Sequence, residues 1–298
     1  MEKIKVAVIG AGGKMGTRTS NNLVTKFPDK FDVKLVETFP PAVERIEKER
    51  GLKVTPVDEA LAFADVVIFA VPDTLIKKLS AEYVPMLKPG TVFLILDPAA
   101  AVAKELTLRD DCTFGVAHPC HPSYFKWQKE EEAYQDRFGG EGGHQDIVMS
   151  CIQGDEEKFK LAQETARCMY RADKAFVMTS EQIAFLEPTL VETLGATCCY
   201  AMAETVNEAV KRGIDREAAV SFLTGHVFNL TANFLGYLPG NPPVSDACKV
   251  ALEIGNHLVL RDDWKKIWDD ELLRKVIATM LHPETFQENL GFDVKPQK

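Results

Sequence analysis

Through the first 150 residues, short unbroken apolar runs alternate with stretches of helical composition. Residues 5–9 (KVAVI), 66–71 (VVIFAV) and 92–96 (VFLIL) place β-branched and aliphatic side chains at consecutive positions, the pattern of strands buried on both faces. Residues 33–37 (VKLVE), 113–117 and 146–151 are three further strand candidates. Residues 14–24 and 74–86 read as helices between them, and Pro89-Gly90 marks a turn. Strands alternating with helices predict βαβ units and a mostly parallel sheet.

Near Thr179 the period changes to that of helices. Thr179 and Gln182 have the spacing of a capping box. Pro188 predicts a kink or a fresh helix start, because it lacks the N–H that an α-helix needs. Helices are expected over 189–211, 216–235, 245–259 and 264–281, with a Pro/Gly/Asn loop at 239–243. The expected fold class is therefore α/β. A doubly wound, parallel Rossmann sheet occupies residues 1–178, and an all-helical domain for substrate binding and dimerisation occupies 179–298.

Composition narrows the function. The 298 residues hold 35 Lys plus Arg against 44 Asp plus Glu, a formal charge of −9. That balance argues against a nucleic-acid surface, which needs a basic stripe. It leaves room for an anionic ligand, since a local pocket can be positive on an acidic protein. No run approaches the ~20 apolar residues of a membrane span, and the N-terminus runs directly into a strand pattern without a signal peptide. The seven cysteines include no CxxC pair, so a finger-type zinc site is not expected. A cytoplasmic protein with reduced thiols is the simplest reading.

The first strand leads into Gly10-Ala11-Gly12-Gly13-Lys14-Met15-Gly16, which opens a helix. Glycines there allow a tight turn and close approach of a pyrophosphate to the helix N-terminus. The spacing reads as GxxGxxG through Gly10, Gly13 and Gly16. Glu37 stands 21 residues beyond Gly16 at the end of the second strand. A carboxylate there accepts the ribose hydroxyls and repels a 2′-phosphate, which favours NAD over NADP. Val71, Pro72, Asp97 and Pro98, at later strand ends, are expected to line the cofactor crevice. Asp73 reads as a helix cap.

The segment Ala117-His118-Pro119-Cys120-His121-Pro122-Ser123 follows the 113–117 strand. Two prolines stiffen it, and its imidazoles suit metal ligation or proton transfer. His144, in a glycine-rich stretch, reads as part of a flexible loop or lid. Glu187 and Glu192 flank the start of the long helix among apolar neighbours. Five residues on an α-helix turn through about 140°, so an unbroken helix would not aim both carboxylates at one point. His226 lies in an apolar helix and reads equally as a core or a ligand histidine. Asp246 and Lys249 are further polar candidates.

These motifs carry a family likeness. A Rossmann domain followed by helices resembles the superfamily of 6-phosphogluconate dehydrogenases, 3-hydroxyacid dehydrogenases and ketol-acid reductoisomerases. In its dehydrogenases a catalytic lysine sits on the long helix, and the matching position here is near Glu192. The combination GAGGKMG, LDPAA, HPCHPS, LEPTLVET and FLTGH resembles the D-apionate oxidoisomerase family over most of the chain. That resemblance implies NAD-dependent oxidation of the secondary 2-hydroxyl of D-apionate, then carboxylate migration to the neighbouring carbon, giving 3-oxo-isoapionate. It implies a small-molecule sugar-acid substrate, NAD as cofactor with a divalent metal as an open second, and a homodimer. His118, Glu192 and His226 are then expected at the metal or substrate, with His121, Glu187 or Glu192 as proton carriers. The alternatives are a plain NAD-dependent hydroxyacid dehydrogenase on another sugar acid and a non-catalytic NAD-sensing module.

Overall fold

All six apolar runs are strands of one seven-stranded sheet in the computed structural model, which describes residues 2–291. Met1 and residues 292–298, the end of the expected helical domain, lie outside the described residues. The six strands are β1 (Ile4–Ile9), β2 (Phe31–Val36), β3 (Val66–Phe69), β4 (Val92–Ile95), β5 (Thr113–Pro119) and β6 (Gln145–Gln153). A seventh, β7 (Ala172–Val177), has no counterpart in the sequence pattern. The order across the sheet is β2-β1-β3-β4-β5-β6-β7. β1 to β5 run parallel, as the alternation predicts; β6 is antiparallel to β5, and β7 is parallel to β6.

Successive side chains on a strand point to opposite faces. Val66, Val67 and Ile68 on β3, and all four residues of β4, are completely buried. The sheet is therefore covered on both sides, which is why its central strands read as unbroken apolar runs. The helices of this part are α1 (Lys14–Thr25), α2 (Pro40–Glu49), α3 (Val57–Phe63), α4 (Asp73–Tyr83), α5 (Ala99–Val102), α6 (Glu131–Gln135), α7 (Glu156–Tyr170) and α8 (Ser180–Ala184). α7, unforeseen in the sequence, buries Phe159, Ala162, Ala166 and Met169 against the sheet core. The capping box opens α8 with both of its bonds: Gln182 N donates to Thr179 Oγ1 at 3.2 Å, and Thr179 N to Gln182 Oε1 at 2.9 Å.

The chain divides into two units, one of residues 1–184 with 274–298 and one of residues 185–273. The second opens with a π-helical segment, Phe185–Ala196, followed by α9 (Thr197–Lys211), α10 (Arg216–Phe234) and α11 (Asp246–Val259). A 3₁₀ turn at Trp264–Trp268 precedes α12 (Asp270–Leu281), whose later residues belong to the first unit together with α13 (Phe286–Leu290). There His282 Nε2 lies 2.8 Å from Glu105 Oε1.

The π-helix replaces the kink expected at Pro188. In this wider coil each N–H reaches the carbonyl five residues back rather than four. Thr193 supports the Pro188 turn by donating its hydroxyl to the Pro188 carbonyl at 2.6 Å.

Candidate active site

β2 and β3 lie on opposite sides of β1, so the sheet changes winding direction at the β1/β3 boundary. In open α/β sheets the crevice beyond such strand ends takes the ligand. Gly10 turns the chain there with φ +78°, and a Cβ on it would collide with the Ala70 carbonyl. A Cβ at Gly16 would collide with the Gly10 carbonyl, and one at Gly12 would lie 2.6 Å from Ala42 Cβ. The sterically obligatory glycines are thus Gly10, Gly12 and Gly16. Gly13, in the spacing read from the sequence, is the extended cap residue of α1, and its Cβ would come no closer than 3.3 Å to another group.

Glu37 follows directly on β2. One carboxylate oxygen accepts the Gly12 N–H at 3.0 Å, and the other accepts those of Thr38 and Phe39 at 2.8 and 3.0 Å. The acidic side chain is thereby fixed beside the glycine loop, where adenosine ribose is bound in dinucleotide folds.

A cavity of about 350 Å³ gathers most of the other expected cofactor residues. Gly13, Lys14 and Met15 form one wall, Val71 and Pro72 a second, and Asp97 with His118 a third. β3 ends two residues short of the apolar run, so Ala70 and Val71 leave the sheet and face this cavity. Pro98 takes the cap position of α5, where Asp97 Oδ1 accepts the Ala99 N–H at 2.8 Å. Asp73 is not the cap expected: Pro72 holds that position, and Asp73 is the first residue inside α4, where a negative charge suits the helix dipole.

The two histidines of the HPCHP motif part company. His118 is the penultimate residue of β5, which runs two residues further than the sequence pattern indicated, and it faces the cavity. Its Nδ1 lies 2.7 Å from the Leu96 carbonyl. A carbonyl can only accept, so Nδ1 carries a proton and donates it there. His121 is exposed, has φ +61°, and directs Nδ1 to the Phe138 carbonyl at 3.1 Å. Its ring packs on Phe138, which itself lies under the Lys14 and Arg18 cations at 4.3 and 4.5 Å. Both ring nitrogens of His144 have partners: Nδ1 is 3.0 Å from Asp173, and Nε2 accepts from Arg171 at 2.7 Å.

In the second unit, Glu187 is half-buried and Glu192 exposed. The π-helix alters their relation. Positions five apart close its hydrogen bonds, so the two carboxylates rise from one face instead of diverging as on an α-helix. His226 donates Nδ1–H to Phe222 O at 2.8 Å, stacks on Phe222 at 4.1 Å, and lines a groove of about 710 Å³ with Ser245 and Cys248. Asp246 and Lys249 pair with each other at 2.8 Å. Among the described residues there is no group of three His, Cys, Asp or Glu side chains able to hold a metal ion, so no ligand set is assigned to the expected metal. None of the described helices is long and apolar enough to cross a membrane.

Residues 1–114 match the acetohydroxy acid isomeroreductase NADPH-binding domain, and residues 126–281 match the C-terminal family of phosphogluconate dehydrogenase (decarboxylating). A D-apionate oxidoisomerase of Blautia hydrogenotrophica is 72% identical over 285 residues, spanning 95% of this chain and 99% of that protein. A second, from Cupriavidus necator, is 42% identical over 92% of this chain and 98% of its own. Among solved structures, a semialdehyde dehydrogenase NAD-binding protein from Cupriavidus necator, in complex with calcium and NAD, superposes with a TM-score of 0.87 at 41% identity. That match covers 94% of this chain and 100% of the other.

Proposed function

The chain belongs to the D-apionate oxidoisomerase family, and from that premise we propose that it oxidises D-apionate at C2 and isomerises the product to 3-oxo-isoapionate. The observation that carries this reading is the cavity in which the glycine loop, the β3 and β4 ends and His118 meet. The enzyme is an NAD-dependent oxidoreductase. NAD, when bound, accepts the hydride from C2. Glu37 supports NAD over NADP, because a 2′-phosphate would meet a carboxylate already held by three N–H groups.

His118 is the proposed base for the C2 hydroxyl proton. The Leu96 carbonyl holds its ring in the tautomer whose Nε2 accepts a proton. This differs from the sequence-based expectation, which gave proton transfer to His121 and ligand binding to His118. The support is the orientation of the two rings: His118 faces the cavity, and His121 packs on Phe138.

Oxidation leaves a ketone at C2 beside the tertiary alcohol at C3. As the C3 hydroxyl loses its proton, one hydroxymethyl group breaks its bond to C3 and forms a bond to C2. C3 becomes the new ketone, and the C2 oxygen takes up a proton. The carboxylate stays on C2 in this balanced form, in place of the carboxylate shift expected from the family resemblance. Glu187 and Glu192, five residues apart on the π-helix, are the proposed acid–base pair for these transfers.

The proposal includes a homodimer through the second unit, supported by its exposed apolar helices, and a cytosolic setting, supported by seven cysteines without a disulfide. The test is NADH formation with purified D-apionate, with the product's carbon skeleton read by NMR. NADH with a rearranged skeleton is expected. Simple oxidation or released CO₂ would make it the plain hydroxyacid dehydrogenase, and no NADH with D-apionate would remove the substrate. Chelator treatment is the second arm: a rate lost on chelation and restored by calcium would put a metal in the site, and an unchanged rate would leave the chemistry to the side chains.

A further inference from the structure

On this acidic chain one cavity is strongly basic. It measures about 840 Å³ and runs along the outer face of α1, and apart from Gly12, Gly13 and Lys14 of the glycine loop its lining lies outside the hydride-transfer site. Lys14 and Arg18 project from successive turns of α1, Arg45 and Arg50 come from α2 and its end, and Arg137 comes from the loop after α6. The acidic residues in the wall are Asp136 and Glu141. Asp136 is already engaged, since it accepts the backbone N–H groups of Gly139, Glu141, Gly142 and Gly143 at 2.8–3.0 Å.

The guanidinium groups are held by neutral partners. Arg18 donates to the Gln145 side chain at 2.7 Å, Arg45 to the Gly12 carbonyl at 3.0 Å and Arg50 to the Ser20 hydroxyl at 2.9 Å. Arg137 lies over the rings of Tyr124 and Tyr134 at 4.2 and 3.9 Å. Three buried nitrogens in this wall, Arg18 Nε, Arg50 Nη1 and Arg137 Nη1, have no hydrogen-bond acceptor among the described residues. Arg18 is only 3% exposed. Burial also lowers the pKa of both Arg18 and Arg50, as it does for cations short of counter-charge. Buried charged donors without acceptors are rare and costly, and oriented guanidinium forks match phosphate oxygens.

We propose that this cavity is a second ligand site, which binds the phosphate groups of a phosphorylated small molecule on the outer face of α1 while NAD occupies the crevice on its other side. The volume exceeds that of a lone phosphate and lies in the range of metabolite pockets. Gly13 and Lys14 line both cavities, and Arg45 grips the carbonyl of Gly12. Occupancy therefore acts on the loop that receives the dinucleotide. Because both ligands draw on Lys14, the anion weakens NAD, and NAD weakens the anion by the same factor.

The test titrates the full-length, NAD-loaded protein with inorganic pyrophosphate in a calorimeter. Saturable binding of one pyrophosphate per chain is expected, with NAD affinity reduced roughly fivefold at saturation. Arg50→Gln should weaken pyrophosphate by about tenfold and leave NAD affinity in its absence unchanged; Arg50→Lys should restore part of the loss. Arg137→Gln gives a second reading should Arg50→Gln fail to fold. Three results would overturn the site. They are no binding to the NAD-loaded protein, one-for-one displacement of NAD, or tight NADP binding that Arg50→Gln selectively abolishes, which would make the cavity a 2′-phosphate subsite.

Discussion

The two units handle their apolar residues in opposite ways. In the first, β3 and β4 are buried along their whole length, and the core around them is closed by helices of the same chain. In the second, α11 buries none of its residues. Its apolar positions 247, 250, 251, 254 and 258 nonetheless form the stripe of an amphipathic helix. Leu258 is 81% exposed and Val250 62%, and Phe222, Phe234 and Leu235 stand out from and beyond α10 in the same way. Exposed apolar patches of this extent mark an interaction surface. The first unit is a finished fold; in the dimer proposed above, a second copy of the chain would cover the apolar positions that the second unit leaves exposed.

The comparison can be broken at four points. His118→Ala, at the site of the finished unit, should reduce kcat by ~10²–10⁴-fold with little change in NAD affinity; an active variant would take His118 out of the chemistry. Phe93→Ala, in the middle of β4, should destabilise the protein by ~3–5 kcal/mol, by an amount that does not depend on protein concentration. Leu258→Asp should act on association instead, weakening the dimer by ~2 kcal/mol or more and yielding monomers in sedimentation. If that variant sediments and melts like the parent, the second unit does not use this face.

The smallest effect concerns the loop between α6 and β6. Burial alone would raise the Asp136 carboxyl, but its four backbone N–H donors outweigh burial and hold it below the usual carboxylate value. The loop's stabilisation is therefore complete above the ordinary Asp value of about 3.9 and is lost as pH falls through the lower folded one. Asp136→Asn should remove roughly 1 kcal/mol at neutral pH and flatten the acid side of the stability curve. An unchanged acid limb in thermal melts against pH would exclude Asp136 as its source.

Much of this was legible in the residues themselves. Central parallel strands are buried on both faces, so β1, β3 and β4 announce themselves as continuous apolar runs. β7 does not: it is the last strand of the sheet, and it carries Asp173 and Lys174 among mostly exposed residues. α7 was missed because its apolar face alternates with charged residues, and only packing on the sheet shows which face is core. At the site, glycine spacing pointed to the dinucleotide loop, yet which glycines are obligatory depended on Ala70 and Ala42, residues distant in sequence.

The sequence by itself determined the Rossmann unit, the acidic Glu37 at the end of its second strand and the family, since these rest on local spacing and on residue types that tolerate few alternatives. Tertiary structure decided the rest. It turned His118 to the crevice and His121 to Phe138, because strand pairing with β6 carries β5 on to Pro119. It wound residues 185–196 into a π-helix, so that a five-residue spacing brings Glu187 and Glu192 to one face. It also gathered Lys14, Arg18, Arg45, Arg50 and Arg137 from three separate segments into one basic cavity on a protein whose net charge is negative. Net charge is a sum over the chain, whereas a binding site depends on which charges the fold brings together.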